Sequence, residues 1–307
     1  MAETSAIEWT DATFNPWVGC TKISPACDHC YAEGWALRTG GGHLWQGERR
    51  RTSDANWRKP MAWNKKAAAS GERRLVFCAS LADVFDNQVP PEWRGDLWAL
   101  IRATPALTWQ LLTKRPQNIV KMLPPDWGDG YANVWLGTTA ENQEEANRRV
   151  PYLLAVPASV RFLSCEPLLG PIDLFGAEME GPLMGGEPTA AQIANDPTGW
   201  RVIRYGVSRL DWIIAGGESG PGARPMHPQW ARSLRDQCEA AGVPFFHKQN
   251  GEFASVSEVC GLGAHHQFPD GSTVRRVGKA RAGRLLDGRE HNAMPEAHQL
   301  AKEARNG

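Results

Sequence analysis

Six short runs in which apolar residues follow one another almost without alternation punctuate the chain: RLVFCAS (74–80), TWQLLTKR (108–115), NVWLGTTAE (133–141), VRFLSCEP (160–167), DWIIAGGES (211–219) and PFFHKQNG (244–251). Continuous runs of this length are expected of parallel strands buried on both faces. The segments between them carry the helical period instead. In PPEWRGDLWALIRAT the residues Trp93, Leu97 and Ile101 recur on one face behind an acidic first turn. In HPQWARSLRDQCEAAG, Pro228 suits a first turn, Trp230, Leu234 and Cys238 form the stripe, and Gly242 suits a stop. Strand alternating with helix predicts βα units around a parallel sheet, which a barrel and an open doubly wound sheet both satisfy.

Each run ends in polar residues: Ser80 and Asp83, Thr113 to Arg115, Thr138, Thr139 and Glu141, Ser164 and Glu166, Gly216 to Ser219, Lys248 and Gln249. Any one of them can be an ordinary loop or cap residue. Six ends repeating the pattern predict a shared polar face at the carboxyl ends of the strands, where parallel α/β proteins place their chemistry. Two stretches break the rhythm, 39–59 (rich in Gly and Arg) and 176–206 (rich in Gly and Pro), and both read as surface insertions. From 252 to 307 the rhythm is lost, so residues 1–251 read as the core and the remainder as an extension or cap.

Composition narrows the picture. The chain has 307 residues, with 34 basic against 34 acidic, so no global field draws it to nucleic acid or to an anionic membrane. The amino terminus lacks a secretory pattern and no uninterrupted apolar stretch is long enough to span a bilayer, which predicts a cytoplasmic protein with no membrane partner. Four of the seven cysteines (Cys78, Cys165, Cys238 and Cys260) are scattered, which disfavours a disulfide framework. Cys20, Cys27 and Cys30 are different. A structural zinc site wants four ligands, usually in two pairs, and here the fourth would have to come from His29, His43, His265 or His266. An iron–sulfur cluster needs no fourth protein ligand if an external molecule takes the last iron. The trio precedes the first clear βα unit, and a loop following a short initial strand at FNPWV would hang over the carboxyl ends.

A three-cysteine loop followed by about six βα units resembles the radical S-adenosylmethionine superfamily. More closely, WTDATFNPWVGCTKISPACDHCYA, LLTKRP, VWLGTTAEN, FLSCEPLLGP, WIIAGGESGPGARP and FFHKQNG are similar to a phage and prophage family of three-cysteine-motif proteins placed in it, over about Glu8 to Asp287. The usual superfamily loop has a shorter first gap than the six residues between Cys20 and Cys27. The resemblance implies a partial TIM-type (β/α)6 parallel barrel with an N-terminal cluster loop and an irregular C-terminal extension, encoded by a phage or prophage and working in the bacterial host cell. It implies a [4Fe–4S] cluster on Cys20, Cys27 and Cys30, S-adenosyl-L-methionine on the open iron, and a reductant such as flavodoxin or ferredoxin. Reductive cleavage would then yield a 5′-deoxyadenosyl radical that takes a substrate hydrogen.

Within that frame, His29 and Tyr31 are candidates to approach the adenine. Ser80, Thr138, Glu141, Ser164, Gly216, Gly217 and Glu218 are candidates for other cofactor contacts, the glycines because they let backbone approach a ligand. Lys114, Glu166 and Lys248 are the candidate catalytic residues. Lys114, Arg115, Arg224 and Lys248 share the predicted face and suggest an anionic partner, a carboxylate or a phosphate, although pairing with Asp83, Asp86, Glu166 and Glu218 would also account for them. The basic insertion, with Trp45 and Trp57 near its arginines, could grip a nucleic-acid backbone. The substrate expected is a small molecule, a nucleotide or a base of phage DNA, such as a hypermodified thymidine. Two other readings stay open: a non-catalytic zinc- or cluster-containing nucleic-acid-binding protein, and a barrel enzyme whose trio is structural.

Overall fold

The computed structural model describes residues 3–174, 178–182, 200–204 and 206–297. Its centre is one parallel sheet: β1 (Ala12–Thr13), β2 (Arg74–Cys78), β3 (Leu107–Thr113), β4 (Val134–Thr139), β5 (Val160–Cys165), β6 (Trp212–Gly216) and β7 (Phe245–Gln249). The six apolar runs form β2 to β7. The first strand lies just before FNPWV rather than within it: Ala12 and Thr13 pair with Val76 and Phe77, while Trp17–Val18 pairs antiparallel with Arg50–Arg51 outside the main sheet.

Spatial order follows chain order without a reversal, and every pair is parallel. A doubly wound sheet reverses direction at a switch point, so that alternative falls away. Crossovers of one hand, repeated in one direction, put the helices on one side, and the sheet curls into a half-barrel whose concave side carries none of them. The principal helices are α1 (Tyr31–Arg38), α2 (Lys59–Ser70), α3 (Pro91–Arg102), α4 (Gln143–Leu154) and α5 (Pro228–Ala241). Their ends follow local chemistry. The Asn142 side chain caps α4 by accepting from the Glu145 N–H, and Gly242, at φ +68°, ends α5 in the left-handed conformation that glycine adopts without a Cβ clash.

Side-chain alternation splits the sheet into two cores. Val76, Trp109, Leu111, Leu136, Leu163, Ile213 and Ala215 pack outward against the stripes Leu97–Ile101 and Leu234–Cys238. Phe77, Trp135, Phe162, Trp212, Ile214 and Phe246 point inward and, with Trp9, floor the concave face. Trp212 is its hub, with ring centroids 5.9 to 6.2 Å from those of Phe162, Trp135, Phe246 and Trp9, and its indole N–H donates to the Ala293 carbonyl. Gly137 makes this packing possible, because a Cβ there would stand 2.4 Å from the Phe162 ring.

The chain beyond Glu252 adds a three-stranded antiparallel sheet (Phe253–Ser255, His265–Gln267 and Thr273–Arg276) and then returns to the half-barrel. The His247 N–H donates to the His291 carbonyl and the Ala293 N–H to the Phe245 carbonyl, so the tail covers the outer edge of β7. Residues 39–59 are more deeply built in than a surface insertion: Leu44, Trp45 and Asn56 are buried, and Arg49 forms an ion pair with Asp86 in which both side chains are 1% exposed. Within the second insertion, residues 178–182 pair antiparallel with 200–204, and 176–177, 183–199 and 205 lie outside the described residues. Among the described residues no helix is long and apolar enough to cross a membrane.

Candidate functional site

The cysteine loop is fastened across the carboxyl ends of the strands by side chains far away in sequence. Glu141, just past β4, accepts from the Ala26 N–H at 2.9 Å. Glu218, past β6, meets His29 Nδ1 at 3.1 Å, and Arg224 reaches from Glu218 to Asp28 and to the Pro25 carbonyl. Tyr31 donates through its hydroxyl to the Ser80 carbonyl past β2. Arg115, past β3, donates to the Thr21 carbonyl and lies 3.6 Å from Cys20 Sγ. Three strand ends therefore hold the loop through charged side chains and a fourth through a backbone carbonyl.

Two carboxylates of this scaffold, Glu141 and Glu218, are held in the ionised form by their surroundings. Burial alone would raise the pKa of Glu141, but the hydrogen bond from the Ala26 N–H and the Arg149 guanidinium at 3.0 Å hold it below the usual carboxylate range. Glu218 is held low in the same way, with Arg224 and His29 outweighing burial. Asp83 is buried and accepts from the Thr113 hydroxyl, the Lys114 N–H and Arg115 Nη1. Burial, reinforced by Asp83, pushes the Cys20 thiol up to about 11, against the pull of Arg115.

The remaining predicted residues fall into two groups. On the concave side, Glu166 takes Lys248 Nζ on both oxygens at 2.7 and 2.9 Å and the Gln249 side-chain amide at 3.0 Å. Gly216 lies beside it, with room for a Cβ only 3.4 Å from Glu166 Cδ. Ser164 lies on the same side, and Lys114 follows β3 on the alternation that turns Leu112 inward. Elsewhere, Ser80 is occupied by Asn15, and Gly217 is required because a Cβ would stand 2.2 Å from the Asn250 carbonyl oxygen. Thr138 faces the helices and donates to the Thr113 carbonyl. Its neighbour Thr139 takes the concave position, fully buried, with Oγ1 unpartnered among the described residues; the expectation at 138 is thus displaced by one residue, which on a strand means the opposite face. Gln249 Oε1 is likewise buried without a partner among the described residues. Sequence reasoning passed over Thr139 and Gln249 as site residues, although both lie in the polar strand ends.

Among the described residues no group of three His, Cys, Asp or Glu side chains is placed to hold a metal ion, so the trio is not gathered in this conformation. Cys27 is buried in the turn Pro25–Cys27, and Cys20 and Cys30 are half-buried against the cluster of Val18, Ala32, Ala36, Leu44 and Trp45. The donor chemistry nevertheless suits a cluster: three free thiols on one loop, fastened over strand ends that carry buried polar atoms without partners. The basic insertion is spent internally in part. Arg49 binds Asp86, Arg51 pairs with Asp96 and stacks on Trp57, and Trp45 is buried, which leaves Arg50, Arg58 and Lys59 exposed.

No curated protein and no solved structure matches the chain. A family model described as "Protein of unknown function (DUF5131)" matches residues 4–295, which takes in the cysteine loop, all seven strands and the returning tail. The chain belongs to the DUF5131 family.

Proposed function

We propose that this protein is a radical S-adenosylmethionine enzyme built on a partial (β/α)6 barrel, with Cys20, Cys27 and Cys30 holding a [4Fe–4S] cluster. The observation that carries the reading is the fastening of the three-cysteine loop, by Glu141, Glu218 with Arg224, Arg115 and the Ser80 carbonyl, to the carboxyl ends of a singly wound parallel sheet. The chemistry such a cluster supplies when bound is reductive cleavage of S-adenosylmethionine and, through it, hydrogen abstraction from a substrate.

The chain's own residues have separate tasks. Arg115, beside Cys20, favours the thiolate that a ligand must become, against the burial that opposes it. Glu141 and Glu218 hold the backbone from Ala26 to His29 in place. Glu166, its charge balanced by Lys248, presents a fixed acceptor at the concave opening, and the aromatic floor beneath excludes water. The substrate on this reading is a nucleotide or a base that fits the concave face.

The test is anaerobic reconstitution of the full chain with iron and sulfide. About four irons per chain are expected, falling sharply in Cys27→Ala, with 5′-deoxyadenosine formed from S-adenosylmethionine under reduction. One zinc and no iron would refute the reading.

A further inference from the structure

Of the four cations expected on the strand-end face, three are neutralised. Arg115 pairs with Asp83 at 3.1 Å, Arg224 with Glu218 at 2.6 Å and Lys248 with Glu166 at 2.7 Å. Lys114 is half-buried, and its ammonium has neither an ion pair nor a hydrogen bond among the described residues. A cation held at this face with no counter-charge among the described residues is free to pair with an anionic ligand.

The register supplies its neighbours. Thr113 lies opposite Thr138, and Thr139 opposite Ser164, so the next step along β3 sets Lys114 beside Thr139 and Thr139 beside Ser164. Adjacent strands are about 4.8 Å apart, which brings three donors from three strands within reach of one group. Among the described residues neither the fully buried Thr139 Oγ1 nor the hydroxyl of Ser164, a residue 2% exposed, has a partner. Glu166 beside them does not repel an anion, because Lys248 balances it.

We infer that Lys114, Thr139 and Ser164 form a phosphate-binding site for a phosphate-ester substrate. An ammonium and two hydroxyls on three strands match the three terminal oxygens of a phosphate ester better than the two of a carboxylate. The site stands on the strand ends alone and does not depend on cluster uptake by the thiols.

The test uses the full chain as purified, without iron, titrated calorimetrically with adenosine 5′-monophosphate, adenosine and S-adenosylhomocysteine. The monophosphate is expected to bind about tenfold more tightly than adenosine. Lys114→Met and Ser164→Ala should each remove most of that difference, while Lys121→Met, at an exposed lysine, should not. If Lys114→Met fails to fold by circular dichroism, Ser164→Ala decides. Unchanged monophosphate affinity in the folded variants, or no binding by the wild type, overturns the site. Loss of S-adenosylhomocysteine affinity with monophosphate affinity retained also overturns it and assigns the row to a carboxylate. Because no iron is present, failure here is distinct from failure of the cluster reading.

Discussion

Glu141 is wholly withdrawn from water and still charged, since Arg149 and the Ala26 N–H compensate it at once. Glu141→Gln keeps the shape and strips Arg149 of one of its two carboxylates, the other being Glu145. The expected loss is about 3 kcal/mol by urea unfolding, because an under-compensated guanidinium stays buried. His247 offers a second residue-scale reading. The Asn250 amide nitrogen donates to the Ala282 and Leu285 carbonyls, so its oxygen accepts from His247 Nε2–H, and burial depresses the imidazole from 6.5 to about 4. A group whose folded pKa is lowered stabilises above its unfolded pKa, and that contribution is lost as pH falls through the folded value. Stability should therefore decline in two stages on acidification. His247 acts between about pH 6.5 and 4, and Glu141 with Glu218 act below about pH 4.3, both carboxylates being lowered. His247→Asn should flatten the first stage of the unfolding free energy against pH and leave the second; an unchanged first stage would refute the assignment.

At the scale of elements, strands β2 to β7 were legible because a strand buried on both faces must be apolar at every position, and nothing but a short run of Val, Ile, Leu and aromatics satisfies that. Strand β1, with two residues, is too short to carry any period. Which strand residue faces inward was not legible. A continuous run has no alternation to mark its parity, and so Thr138 was preferred where Thr139 is the concave residue. Gly137 reports the parity directly, since it yields its volume to Phe162 across β4 and β5. Gly137→Ala should cost about 1–3 kcal/mol in chemical unfolding through overpacking. A neutral result would mean that the aromatic floor has slack.

For the whole molecule, the half-barrel leaves two sheet edges, and an edge is a template for pairing with another chain. The tail closes one of them: 291–293 pair with β7 and Ala293 accepts the Trp212 indole N–H. Ending the chain after residue 288 should therefore produce concentration-dependent association, read by light scattering; a species of unchanged mass at every concentration would refute it. The sequence by itself determined the class of fold, the six long strands, two helical stripes, the cysteine trio and the polar character of the strand ends, because these depend on local period and residue type. Only the tertiary structure decided which charges remain available. Arg115, Arg224, Lys248 and Arg49 are each neutralised by a carboxylate at least five residues away, and in three of the four cases more than 30 residues away, whereas Lys114 has no such partner among the described residues. Pairing of that kind is a property of strand order and register, which bring distant residues within hydrogen-bond reach and which no local pattern encodes.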